Sequence, residues 1–119
     1  MADLTRQELI RILAITEHAR LAGVDLAGLD LHGLNFAGAN LIRANLSGSN
    51  LSGAYMRGVR LDDANLESAN LDGANLKEAN LKGARLCKAD LSGANLTDVN
   101  LFGADTTGAH MARAQGVPR

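Results

Sequence analysis

The residues of this 119-residue chain with the most chemical potential are three histidines, one cysteine and an adjacent aspartate pair. His18, His32 and His110 could ligate a metal or carry a proton, but they stand far apart, with no His or Cys at ligand spacing from any of them. Cys87 would act as a nucleophile only if a base or a depressed pKa made it a thiolate. Arg85 and Lys88 are near it in sequence but no histidine accompanies them, so an inert outward thiol is expected. Asp62 and Asp63 are neighbours whose side chains diverge or sit at a bend, which is not the arrangement of an acid and a base facing each other across a cleft. The abundant glycines could suggest phosphate binding, yet no Gly-rich loop runs into Lys-Ser/Thr at the head of a helix. The residue types therefore predict no catalytic residue, no cofactor and no metal, and no ligand pocket is expected in a filled rod.

What positions these residues is a period of five. From Leu21 to Leu101 every fifth residue is large and apolar, among them Leu31, Phe36, Leu51, Met56, Leu71, Leu76, Leu91 and Leu96. Two residues earlier stands a small apolar residue, usually Ala. One residue earlier stands Asn or Asp in most units, and two residues later Gly in most. A helix advances about 100° per residue, so a step of five lands about 140° past a full turn and would scatter the leucines around the axis. A flat strand fails too, because an odd step alternates faces. A short extended piece followed by a tight bend satisfies the pattern: residues two apart face the same way, Gly supplies positive φ at the bend, and Asn or Asp bonds to turn backbone. Four-sided closure is a packing inference, supported by the family resemblance that the repeats carry; it makes a twenty-residue coil in which Leu31, Leu51, Leu71 and Leu91 stack in one inward column. Residues 20 to 105 supply a little over four coils, roughly 20 Å of rod at the usual strand spacing.

Composition agrees with a narrow column. Apolar content is mostly Leu and Ala, with two Phe, one Tyr and no Trp. Regular leucine argues against disorder, and one Pro against collagen. The net charge of −1 points to no particular partner and away from direct nucleic-acid binding. A single cysteine excludes an intrachain disulfide framework. The start MADLTRQELI lacks an apolar signal core and no stretch is long enough for a spanning helix, so no membrane association and a cytoplasmic location are expected.

The units ANLIR, ANLES, ANLDG, ANLKE, ANLKG, ADLSG and ANLTD stand in one phase. Over about residues 19 to 110 the chain resembles the pentapeptide-repeat family, whose motif is Ala-Asp/Asn-Leu-X-X. The resemblance implies an all-β solenoid, a right-handed, quadrilateral, parallel β-helix. It also implies a non-enzymatic protein-binding or scaffold module that presents flat polar sides. The alternative it carries is a DNA-mimicking inhibitor or protector of DNA gyrase or topoisomerase, since some members resemble duplex DNA in width and negative surface. Some members also dimerise through C-terminal coils, which makes that end the candidate for a homodimer here.

The expected organisation is a helical cap over residues 1–20, the β-helix over 21–110 and a tail over 111–119. Thr5 is the expected N-cap with Glu8 completing a capping box, and Leu4 and Leu9 have staple spacing. Leu9, Ile12, Leu13 and Thr16 would share a face, and the helix would end near His18 or Arg20. Leu29 and Leu34 replace the usual Ala where that cap would meet the first coil. On the outside, twenty-residue stacking predicts the charge pairs Arg43–Asp63, Asp62–Lys82 and Arg85–Asp105. One side is mildly acidic through Asp30, Asp72 and Asp90. The pattern breaks at AYMRGVR, where Tyr55, Arg57 and Arg60 form a candidate protein-binding spot. Phe102, outward on the last full coil, is a second.

Overall fold

The computed structural model describes residues 2–118. It begins with one helix, α1, over Arg6–Ile15. Thr5 caps it: its hydroxyl oxygen accepts from the Glu8 N–H at 3.1 Å, and the Glu8 carboxylate accepts from the Thr5 N–H at 3.0 Å. The helix stops short of the expected His18 or Arg20. Thr16 is already extended (φ −138°, ψ 133°). His18 takes φ 55°, at the bend position that glycine fills in the following units. The five-residue register thus starts inside the segment expected to be helical, and Arg20 pairs with Asn40. Thr16 consequently lies outside the helix, exposed, rather than on its buried face.

From there the chain winds as a coil of twenty. Sixteen parallel single-residue pairings run from Arg20↔Asn40 to Asn95↔Gln115, and every one joins residues twenty apart. The unit of residues 70–74 shows why the pentapeptide is self-consistent. The Asn70 N–H donates back to Ser49 O at 2.9 Å, while Leu71 and Gly73 donate forward to Asp90 O and Ser92 O at 2.7 and 2.9 Å. Ala74 closes the turn on Leu71 O at 3.0 Å. The remaining N–H, of Asp72, is taken by the side-chain oxygen of Asn70 at 3.0 Å. All five donors are satisfied, which is what a fold with no long strands must achieve. The bend residue, Gly73, has φ 68°, as the third residue of a type II turn requires. Where glycine is absent at this position, Arg43, Asp63, Ser68, Glu78, Lys88, Asp98 and Arg113 are driven to the same positive φ.

Inside the tube Leu31, Leu51, Leu71 and Leu91 are fully buried, as are Phe36, Met56, Leu76 and Leu96. Ser49, in an inward Ala position, donates its hydroxyl to Leu46 O at 2.7 Å and so is satisfied.

The two ends differ. At the start, the backbone of the first coil is closed by the segment before α1 and by its first residue. The Asp3 N–H donates to Asp25 O at 2.6 Å and the Asp3 carboxylate accepts from the Asp25 N–H at 2.8 Å, imitating a further coil. The Arg6 guanidinium donates to Asp30 O and His32 O at 3.0 and 3.2 Å. Leu9 is fully buried in the common core, with Leu4, Ile12, Leu13 and Leu29 packed around it and Leu34 nearly buried. At the other end the ladder passes the expected boundary at 110. Met111 takes a half-buried inward place, Ala114 closes its turn at 3.1 Å and Gln115 donates to Ala94 O at 2.9 Å, so residues 111–115 form another unit rather than a tail. This last coil has no cover: the N–H groups of Leu101, Gly103, Thr106, Gly108, Met111 and Arg113 lack partners among the described residues. The molecule measures 37 × 25 × 21 Å.

Candidate functional site

Regular stacking makes the irregular units conspicuous. In most of them the Asn or Asp before the inward leucine takes the N–H two residues on, as in units 65, 75, 80 and 95. Tyr55 and Arg60 stand in that place without an oxygen positioned to accept, and the N–H groups of Arg57 and Asp62 have no protein partner. Arg85 is a similar replacement, but Glu67 holds its guanidinium at 3.0 Å. Among the described residues no carboxylate lies within ion-pair distance of Arg60, and Tyr55 is 60% exposed.

Arg57 and Arg60 are brought together around one corner of the coil, where the end of α1 leaves a groove of about 660 Å³. Leu13 and Ala37 give it apolar surface over the buried Ala19 and Ala39, and Glu17, His18 and Glu78 join the two arginines at its polar parts. The expectation of a rod without a pocket is thereby corrected: the coil is filled, but a groove remains where the end of α1 and residues 16–19 meet it. A smaller hollow of about 320 Å³ between Ile10, Ala14 and Leu34 shares Leu13 and Asn35 with it and extends it along the helix. His18 Nδ1 lies 3.2 Å from Gly38 O, so this ring is fixed against the coil. Phe102 is 75% exposed but sits on the side that carries 60–64 and 80–84, two coils beyond Arg60, and does not reach the groove.

The surface charges pair along diagonals rather than straight up the stack. Arg57 meets Glu78 at 2.9 Å and Arg85 meets Glu67 at 3.0 Å. The expected Arg43–Asp63, Asp62–Lys82 and Arg85–Asp105 pairs do not form as ion pairs. One Asp62 oxygen instead accepts from Asn80 Nδ2 at 3.1 Å, and Asp105 accepts from the Thr107 N–H and hydroxyl at 3.1 and 2.7 Å. Long arginines reach across a bend more easily than short aspartates reach upward. The acidic side is interrupted as well. Asp30 lies 2.8 Å from His32 Nδ1 and 3.9 Å from Arg6, and its carboxyl is held below the usual range, first by the His32 side-chain hydrogen bond. Asp90 is held low by hydrogen bonds from Ser92, and Asp72 lies one coil before it on a diagonal, while Asp30 is three coils away on the same column. Cys87 is half-buried, and the Asp105 carboxylate pushes its thiol above the ordinary range, the opposite of activation. Among the described residues no group of three or more His, Cys, Asp or Glu could hold a metal ion, and no helix is long and apolar enough to cross a membrane.

A four-sided coil of stacked pentapeptides defines a class, the quadrilateral β-helix solenoids. The pentapeptide-repeat family model matches residues 19–58 and 54–93, more than half the chain, and the chain belongs to that family. It is similar to a pentapeptide repeat protein from the Arabidopsis thaliana thylakoid lumen, 38% identical over 74% of this chain and 61% of that one, with a TM-score of 0.73. A pentapeptide repeat protein, Rfr23, from the cyanobacterium Cyanothece 51142 is also 38% identical, over 77% of this chain and 63% of its own, with a TM-score of 0.56. HetL, involved in heterocyst differentiation regulation in Nostoc sp. strain PCC 7120, is 31% identical over 89% and 48%, with a TM-score of 0.53. The chain spans less than two thirds of the length of each. The likeness establishes the right-handed hand of the helix. No match is found among the curated proteins.

Proposed function

We propose that this pentapeptide-repeat protein is a non-enzymatic protein-binding or scaffold module acting in the cytoplasm. Its recognition surface is the corner bearing Tyr55, Arg57 and Arg60. The observation that carries this reading is the stretch 55–60, where two consecutive side-chain acceptors for backbone N–H groups are replaced by an exposed aromatic and an unpaired cation. The exchange gives up two local hydrogen bonds, whereas exposed Tyr and Arg are the residue types that anchor interfaces. Phe102 is a second contact on a different side. In the same reading the uncovered coil of residues 96–115 pairs with a second copy, because its unpaired N–H row and half-buried Leu101 and Met111 form an open edge.

The alternative of a DNA mimic acting on gyrase or topoisomerase calls for a continuous negative side. The proximity of His32 and Arg6 to Asp30, and the three-coil gap between Asp30 and Asp90 on one column, favour the first reading. Affinity capture from the native host, with the wild type and with the Tyr55→Ala, Arg57→Ala and Phe102→Ala variants, tests it. Loss of the same protein from the first two variants, with unchanged melting temperatures, is the expected result. An identical captured set from all four chains would refute the assigned surface.

A further inference from the structure

We infer that two copies of the chain join by their last coils in one register, in which Asp105 and Asn100 of one copy stand against the partner's His110 and the partner's Gln115. This rests on the reading of the last coil as a pairing edge and adds the geometry of the pair. The open rim repeats one pattern of backbone groups. The carbonyls of Asn100, Asp105, His110 and Gln115 are taken by the N–H groups of Leu81, Leu86, Leu91 and Leu96 in the coil below, at 2.7–2.8 Å. A trans peptide points its N–H the opposite way, so the N–H groups of Leu101, Thr106, Met111 and Gly116 face the open end. In the coil below, the carbonyls of Ala79, Ala84, Ala89 and Ala94 accept from the last coil. Their successors, the carbonyls of Val99, Ala104, Ala109 and Ala114, face the same way and accept nothing among the described residues. Each of Asn100, Asp105, His110 and Gln115 is thus flanked by one free acceptor and one free donor. That is half of an antiparallel pair, and an inverted second copy carries the other half. The N–H groups of Gly103, Gly108 and Arg113 lie at exposed bends, open to water.

The shape of the rim selects the register. It is a spiral ramp that rises roughly 1.2 Å per unit, a quarter of the strand spacing. The unit at 99–103 stands lowest and the start of the next round, at 114–116, highest. A copy inverted about a two-fold axis across the rod presents the same ramp. The gap is even only where lowest meets highest. This sets 99–103 on the partner's 114–116 and 104–108 on the partner's 109–113, whereas any other quarter turn leaves a step of one strand spacing. Asp105 then opposes the partner's His110 with Cα atoms about 4.5 Å apart, as in a non-hydrogen-bonded antiparallel pair. The flanking groups meet donor to acceptor: the Thr106 N–H donates to the carbonyl of the partner's Ala109, and the Ala104 carbonyl accepts from the N–H of the partner's Met111. The inward residues mesh large against small in the same register. Met111 meets the partner's Ala104, and Leu101 the partner's Ala114. Gly116, without a side chain, meets the partner's Val99, the one inward residue larger than Ala among 99, 104, 109 and 114. Asp105 against the partner's His110 occurs twice by symmetry and joins a carboxylate to an imidazole. Asp3 and Arg6 close the other end of the rod, so growth stops at two copies.

Sedimentation of the full chain, and oxidation of double-cysteine variants in a Cys87→Ser background followed by intact mass, test this. The expected result is a monomer–dimer equilibrium with no larger species. The Asp105→Cys, His110→Cys pair should give a disulfide-linked dimer, because a disulfide spans the opposed Cα spacing. The Asn100→Cys, Asp105→Cys pair should stay unlinked, since this register opposes neither position to the other. Without the cysteines, Asp105→His should weaken the dimer about fivefold, and adding His110→Asp should restore it. Melting curves that match the parent show that each variant keeps its fold. A dimer in which the first cysteine pair stays unlinked, or the second links equally well, or the exchanged residues fail to restore pairing, would overturn this register while the pairing of two copies stands. A monomer up to about 1 mM, or an open-ended polymer, would overturn both.

Discussion

The asparagine or aspartate before most inward leucines accepts an N–H that the bend would otherwise leave to solvent. Tyr55 is one of the residues that give up that role. Replacing Tyr55→Asn should restore the acceptor for the Arg57 N–H and raise stability by about 0.5–1.5 kcal/mol, the usual net worth of one such bond. Chemical denaturation would measure it, and a loss of stability would show that Tyr55 contributes packing instead. The inward positions are far less tolerant. Leu71 is fully buried in the column, so Leu71→Lys places a charge where no partner exists and should cost about 4 kcal/mol or more. Ser92→Lys, on an outward position, should change the melting temperature little. Equal melts of the two would contradict the inward and outward assignment. These residue roles were legible in the sequence because inward leucine and outward Asn recur in one phase. What was not legible was which oxygen takes which N–H, since that depends on bend geometry.

At the scale of elements the cap is the informative part. Thr5, Glu8, Leu4 and Leu9 announced the start of α1 through local chemistry, and the structure keeps that start. Its end was misread because His18 fits a helix by propensity and a bend only by its place in the five-residue phase, which Thr16 conceals by not being apolar. Asp3 and Arg6 were not singled out for the same kind of reason: nothing in a sequence says which carbonyls an arginine will face. Arg6→Ala removes two donors from the open carbonyls of Asp30 and His32 and should destabilise the protein by about 1–2 kcal/mol, discounted for its partial exposure. Thermal melts check this, and the same variant should show increased self-association in sedimentation because an edge is uncovered. A monomeric variant of unchanged stability would mean that α1 packing alone closes the end. The groove beside α1 was likewise beyond the sequence, since its walls come from residues far apart in the chain, from Leu13 to Glu78.

For the whole molecule, charge acts through many small contacts rather than one site. The carboxyls of Glu8, Asp30, Asp90 and Asp105 are all held below their ordinary range, principally by hydrogen bonds from Thr5, His32, Ser92 and Thr107 respectively. A carboxylate lowered in the folded state contributes stability that is fully present above its unfolded pKa and is lost as pH falls through the folded value. The melting temperature should therefore show little contribution from these groups between about pH 5 and 8 and should fall below about pH 4. A loss of stability beginning near pH 6 would contradict that assignment. The most direct test of the twenty-residue stacking is cysteine trapping in a Cys87→Ser background. Adjacent coils lie about 4.8 Å apart, within the span a disulfide bridges. Ser52→Cys combined with Asp72→Cys should oxidise to an intramolecular disulfide, seen by intact mass, whereas Ser52→Cys combined with Glu67→Cys should not. A cross-link in the second pair and none in the first would contradict the stacked four-sided coil.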